Sequence, residues 1–132
     1  MTSPADEWAS PMRAMNTVLY CRHFEQTLAF YGEVLRLPRS FANDWFVEFK
    51  VAREAFLSVA DERRASIDSA HGKGLTLTFK VDDVRASHEQ LRARGAAPSA
   101  LGRRPWGTHG FLLHDPEGTR IEIWAPSVIT TS

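Results

Sequence analysis

Residues 16–38 (NTVLYCRHFEQTLAFYGEVLRLP) and 76–98 (TLTFKVDDVRASHEQLRARGAAP) align without a gap. Leu19 falls on Phe79, Cys21 on Val81, Phe24 on Val84, Tyr31 on Leu91 and Pro38 on Pro98. What repeats is the order of apolar and polar positions, and an internal repeat constrains topology before any local propensity does. Each copy opens with an alternating strand; in the second, Leu75, Leu77, Phe79 and Val81 interleave with Thr76, Thr78 and Lys80. An amphipathic helix follows. Its apolar face in the first copy is Phe24, Leu28, Tyr31 and Leu35. In the second, Asp83 is placed to cap the helix and Gly95 to end it.

Three short strands are expected after each helix. They fall near 39–42, 45–51 and 54–60, then near 98–102, 109–114 and 119–125. Asp115-Pro116-Glu117-Gly118 has proline and glycine where a tight hairpin uses them. The chain therefore reads as α+β, a βαβββ module used twice (14–60 and 75–126) in one domain, with a polar linker at 61–74. Residues 1–13 read as a loose arm and 127–132 as an irregular tail. Two such modules pack about a pseudo-twofold axis, with curved mixed sheets around a shared cavity.

Alternation then assigns the cavity wall. Asn16, Val18 and Tyr20 face it from the first strand, and Thr76, Thr78 and Lys80 from its counterpart. In TRIEIW, Ile121 and Ile123 pack on the helix, so Arg120, Glu122 and Trp124 face the cavity, with Ser58 at the position matching Glu122. Trp106 and His109, in RRPWGTHG, lie in a loop expected at the mouth, and Trp45 begins a strand near it.

The 132 residues carry no net charge, which argues against nucleic acid or an anionic membrane as partner. Arg63-Arg64, Arg92 with Arg94, and Arg103-Arg104 read as solvated clusters. Cys21 is the only cysteine. It reads as a small buried hydrophobe; a nucleophilic role would require a low thiol pKa and a nearby base. The N-terminus has acids where a signal peptide carries positive charge, no apolar segment approaches a membrane span, and a cytoplasmic protein is expected. His88 reads as a packed or half-exposed helix residue rather than a ligand. There is no phosphate-binding glycine loop, CxxC pair or nucleophile elbow.

The duplication, FYGEVLRLP and PWGTHGFLLHDPEGTRIEIW together resemble the glyoxalase/bleomycin resistance/dioxygenase (vicinal oxygen chelate) superfamily over about residues 14–126. That resemblance implies metal-dependent isomerases and dioxygenases, drug-inactivating transferases or metal-free drug-sequestering proteins; fold alone does not choose among them. The ligand positions of the metalloenzymes fall on Asn16, Ser58, Thr76 and Glu122. Of these only Glu122 is a donor that a catalytic transition metal favours, so no metal or other cofactor is expected, a depleted divalent site being the exception. The resemblance also implies a homodimer, with sites built from both chains. The reading that follows is sequestration of a small, partly aromatic organic molecule by Asn16, Tyr20, Ser58, Thr76, Trp106, His109, Glu122 and Trp124. The alternative is a lyase, isomerase or dioxygenase that is metal-dependent or uses Glu122 as a base, Glu122 being the best catalytic candidate. A scaffold without ligand is the third reading. Arg120, Lys80 and His109 are the expected partners of Glu122.

Overall fold

The computed structural model describes residues 4–6 and 8–126. The expected tail at 127–132, and residues 1–3 and 7 of the expected arm, lie outside them. Pro4–Asp6 form one 3-10 turn, and residues 8–14 are irregular and exposed. Two modules follow. The first runs β1 (Met15–Cys21), α1 (Phe24–Ala29), β2 (Arg39–Ala42), β3 (Phe46–Ala52) and β4 (Ala55–Asp61). The second runs β5 (Thr76–Lys80), α2 (Val84–Ala93), β6 (Gly102–Arg103), β7 (Thr108–His114) and β8 (Arg120–Pro126). Their sheets have equivalent orders, β1-β4-β3-β2 and β5-β8-β7-β6. In each, the first strand pairs parallel with the last and the remaining pairs are antiparallel. The fold is α+β, two mixed sheets from a duplicated βαβββ unit.

The alternation that marked the strands also selects their buried faces. Val47 and Phe49 in β3, Leu57 and Val59 in β4, Phe111 and Leu113 in β7, and Ile121 and Ile123 in β8 are all buried. They form one core with Phe24, Phe30, Tyr31, Val84 and Leu91 from the helical segments. Asp83 caps α2, its carboxylate accepting from the Ala86 N–H at 3.0 Å. Gly95 closes the helix with φ of +86°. His88 is packed, its ring edge-on to Phe111 at 4.9 Å and its Nε2 2.8 Å from the Ser99 carbonyl oxygen.

Two elements differ from expectation. α1 is short and widens into a π-helical turn, Phe30–Val34, where the Leu35 N–H donates to the Phe30 carbonyl at 2.9 Å. The extra residue per turn brings both Phe30 and Tyr31 into the core, where a regular helix would bury Tyr31 and Leu35. Thr27 is buried as well, its hydroxyl donating to the His23 carbonyl at 2.7 Å. The strand expected near 98–102 is only Gly102–Arg103. Its earlier part is tied to β7 through Ser99, whose N–H donates to the Leu112 carbonyl and whose hydroxyl accepts from the Leu112 N–H.

The Asp115–Gly118 turn does more than reverse the chain. Asp115 Oδ1 accepts from the N–H groups of Glu117 and Thr119 at 2.9 and 2.8 Å, which shapes the turn. Its Oδ2 accepts from the Tyr31 hydroxyl of the first module at 2.7 Å. Glu117, only 6% exposed, reaches the chain just ahead of α1. It accepts from the backbone N–H of Arg22 at 2.6 Å and of His23 at 2.9 Å, and from the Ser69 hydroxyl. The linker is folded onto the same turn: a Cβ on Gly72 would stand 2.3 Å from the Gly118 carbonyl carbon.

Burial pushes the Glu117 carboxyl up, but donation from Ser69, Arg22 and His23 outweighs it and holds the group below the ordinary value of 4.5. A depressed folded pKa stabilises the fold fully above the unfolded value and loses that stabilisation as pH falls through the folded one. Glu117→Gln is expected to cost about 2 kcal/mol at neutral pH, measured by chemical denaturation. The gap to the parent should shrink as pH drops below 4.5. Gly72→Ala forces a side chain into backbone at a φ of +74° and should cost at least about 2 kcal/mol in the same assay.

Candidate functional site

The expected wall residues fall into separate groups. On the first sheet, Asn16 and Ser58 meet: the Ser58 hydroxyl donates to Asn16 Oδ1 at 2.9 Å. Ser58 is 0% exposed, so it supports Asn16 rather than offering its own surface. Asn16 Nδ2 donates to Glu48 Oε2 at 3.4 Å, and the Ser40 hydroxyl donates to Glu48 Oε1 at 2.7 Å. Tyr20 lies further along β1, lining a hollow of about 310 Å³ with Trp45 and Arg64. Trp45 packs edge-on against Phe46 at 5.8 Å.

The second sheet carries the more concentrated chemistry. In β8, Ile121 and Ile123 go to the core, while Glu122 and Trp124 are half-buried on the other face. Cross-strand pairing sets Glu122 between Thr78 and Leu112, and Trp124 between Lys80 and Gly110. Thr76 is exposed, opposite Arg120. Gly110 is required beneath Trp124: a Cβ there would stand 2.9 Å from the Ile123 carbonyl oxygen and 3.2 Å from the Trp124 Cβ. The indole has an open neighbour on one side and the Lys80 ammonium 5.7 Å from its ring centroid.

Glu122 is partnered by Arg104. Arg104 Nε lies 3.5 Å from Glu122 Oε2, with side chains 25% and 16% exposed. The same Nε is buried without a hydrogen bond to the described residues, so the contact is coulombic rather than a directed bond. The Thr108 hydroxyl is likewise buried and unbonded among them. Arg104 belongs to a tight turn, its N–H donating to the Thr108 carbonyl at 2.6 Å and its carbonyl accepting from Gly107. Reading Arg103-Arg104 as a solvated pair missed this residue. Its position two before Trp106, in the loop assigned to the mouth, was the available signal.

His109 lies in β7. Register sets it opposite Ala125, on the face of β7 shared with Phe111 and Leu113, whereas Glu122 shares the face of Leu112. Trp106 is 68% exposed, on the loop rather than against the sheet. Glu48 was not anticipated; it sits on β3, opposite Ser58.

The donors at the metal corners do not fit a transition metal. Asn16 Oδ1 already accepts from Ser58, Ser58 and Thr76 are neutral hydroxyls, and the one carboxylate has a guanidinium beside it. No group of three or more His, Cys, Asp or Glu able to hold a metal occurs among the described residues. Nor is any helix among them long and apolar enough to cross a membrane.

Comparison with known proteins matches residues 14–123 to the model of the Glyoxalase/Bleomycin resistance protein/Dioxygenase superfamily. The chain belongs to that superfamily. It is 24% identical over 125 residues to the uncharacterized protein YraH of Bacillus subtilis (strain 168), covering 86% of this chain and 98% of that protein. Among solved superfamily-like structures, TnmS3, an antibiotic binding protein from Streptomyces sp. CB03234, superposes with a TM-score of 0.74 at 21% identity, covering 92% of this chain and all of that one. A lactoylglutathione lyase from Agrobacterium tumefaciens gives 0.70 at 23% identity, covering 87% and 94%. At these identities the structural likeness establishes fold, and superfamily membership leaves the activity open.

Cys21 contributes no nucleophile. It is fully buried, with its thiol 3.4 Å from the Leu19 carbonyl oxygen. Burial first, then the charges of Glu117 and Asp115, push its pKa up to about 12. In native protein at pH 8, Cys21 should resist a disulfide reagent and react stoichiometrically only after denaturant is added. Rapid labelling of folded protein would contradict the burial described.

Proposed function

We propose that this superfamily member binds a small, partly aromatic organic molecule on the face of the second sheet that carries Glu122 and Trp124, without a metal. The observation that carries the reading is the junction of a half-buried carboxylate–guanidinium pair, Glu122 and Arg104, with the Trp124 ring on the same β8 face. Such a surface combines a stacking plane with one acceptor group and one donor group for orientation. The antibiotic-binding protein of the same fold supports this choice. Lys80 and Thr78 extend the surface along β5, and Trp106 stands on the adjoining loop. Thr76, Thr78, Lys80 and Trp106 are exposed in a single chain, and the reading includes a homodimer in which a second copy covers this face, bringing Asn16 and Tyr20 of the first sheet to the ligand.

The rival reading, a metal-dependent or Glu122-based lyase, isomerase or dioxygenase, has the lyase fold neighbour behind it. It requires Glu122 to be free for a metal or a proton, and Arg104 stands against that carboxylate.

Titration with a panel of aromatic, drug-like compounds should quench tryptophan fluorescence saturably for at least one of them. Trp124→Phe should remove most of that signal. Glu122→Gln should weaken the same compound about tenfold, in line with loss of a charged hydrogen-bonding group. Silence across the panel, or tight stoichiometric retention of Ni, Zn, Mn or Fe that depends on Glu122, would overturn the proposal.

A further inference from the structure

A second cavity lies along the edge strand β5, where the apolar layers of the two modules fail to close on each other. It has a volume of about 430 Å³, within the range of pockets that hold small organic ligands, roughly 300–1,000 Å³. The first module supplies Leu35 and Leu37, from the chain after the π-turn, and Val51 and Ala55, from the β3–β4 hairpin. The second supplies Phe79, Val81, Leu91 and Ile123, the helix-facing residues of β5, α2 and β8. Leu35, Leu37, Val51, Phe79 and Val81 are only partly buried, although they pack on the main core. β5 is an edge strand, and no strand among the described residues pairs with its outer side.

The charge at this cleft has one sign. Lys80 and Arg94 line it, the other polar lining residues are neutral, and none of the described residues lining it is a carboxylate. Arg94 crosses between modules, donating from one guanidinium nitrogen to the Val34 carbonyl at 2.8 Å, which anchors its charge beside the opening. Lys80 is exposed on β5, its ammonium 5.7 Å from the Trp124 ring centroid. An apolar cleft flanked by two cations is complementary to a molecule with an apolar tail and a single anionic head.

We infer that the cleft between the modules, lined by Leu37, Ala55, Phe79 and Leu91 and flanked by Lys80 and Arg94, is a second binding site for an amphipathic monocarboxylate. The apolar tail occupies the gap between the two helix-facing layers, and the carboxylate stays at the mouth between the ammonium and the guanidinium. This site borders the Glu122 surface, sharing Thr78 and Lys80 of β5 with it, and needs no rearrangement of the Asp115–Gly118 turn.

Isothermal titration with decanoate below its micellar concentration tests it on the full chain. One molecule per chain should bind, while decyltrimethylammonium, with the same tail and the opposite charge, should not. Ala55→Phe places a ring in the cleft and should abolish decanoate binding with thermal unfolding unchanged. Gln90→Glu, on an exposed helix position that lines the mouth, should weaken binding about threefold, the scale of an exposed charge interaction. Trp124→Phe, which disables the Glu122 face, should leave decanoate binding intact, so the two sites can fail separately. The proposal is overturned if decanoate does not bind, if it binds Ala55→Phe as well as the parent, or if only Trp124→Phe weakens it. It is also overturned if the cation binds equally well. A parent dimer that Ala55→Phe turns into monomer, with no decanoate binding by either, assigns the cleft to a second copy instead.

Discussion

The two halves are held together by a carboxylate of the final hairpin turn that serves the start of α1 in the other module. Glu117 leaves the final hairpin turn, enters the first module and takes the N–H groups of Arg22 and His23 just where β1 turns into α1. Those groups precede a helix whose own flanking residue, His23, makes no side-chain cap, so an acceptor must come from elsewhere. Asp115 does the complementary work with the buried Tyr31 hydroxyl; burial and the charge of Asp115 drive that phenol well above its ordinary pKa. Between them the two acids satisfy polar groups that would otherwise be stranded at the junction. The DPEG run, which looks like ordinary turn chemistry, is therefore also the inter-module clasp.

With the junction fixed at one end, both modules keep their helix-side layers together and leave the opposite sheet faces open. That division explains where chemistry collects. Each sheet has a carboxylate on its outer face, but in different company: Glu48 is bonded by Asn16 and Ser40, whereas Glu122 stands 3.5 Å from the Arg104 guanidinium. A carboxylate that already accepts two hydrogen bonds has fewer acceptor positions left for a ligand than one held by a longer coulombic contact. The two sheets therefore differ in how their outer-face carboxylates are held.

Much of this was legible in the residues because it depends on local alternation. The strands, the buried set in β8 and the Asp83 cap follow from period-two patterning and short-range hydrogen bonds. The placement of Glu122 and Trp124 on one face followed from the same parity. What escaped depended on contacts between distant residues. Glu117 bonds to groups 94 and 95 positions away, and no periodicity reports that. The π-turn at Phe30–Val34 rewrites which residues of α1 are buried after a pattern based on 3.6 residues has already been assigned. Arg104 sits in a loop, where side-chain direction is set by a turn rather than a ladder.

Duplication left the halves similar in topology but not interchangeable. The hairpin of the first module turns through Arg53 and Glu54, with no counterpart to the Asp115–Glu117 pair, so the fastening runs in one direction only. A chain assembled from two first halves would keep its strands and lose its latch; one assembled from two second halves would have two latches and no Tyr31 to receive either. The ancestral symmetry survives in the sheets, and the handedness of assembly is carried by a single acidic corner.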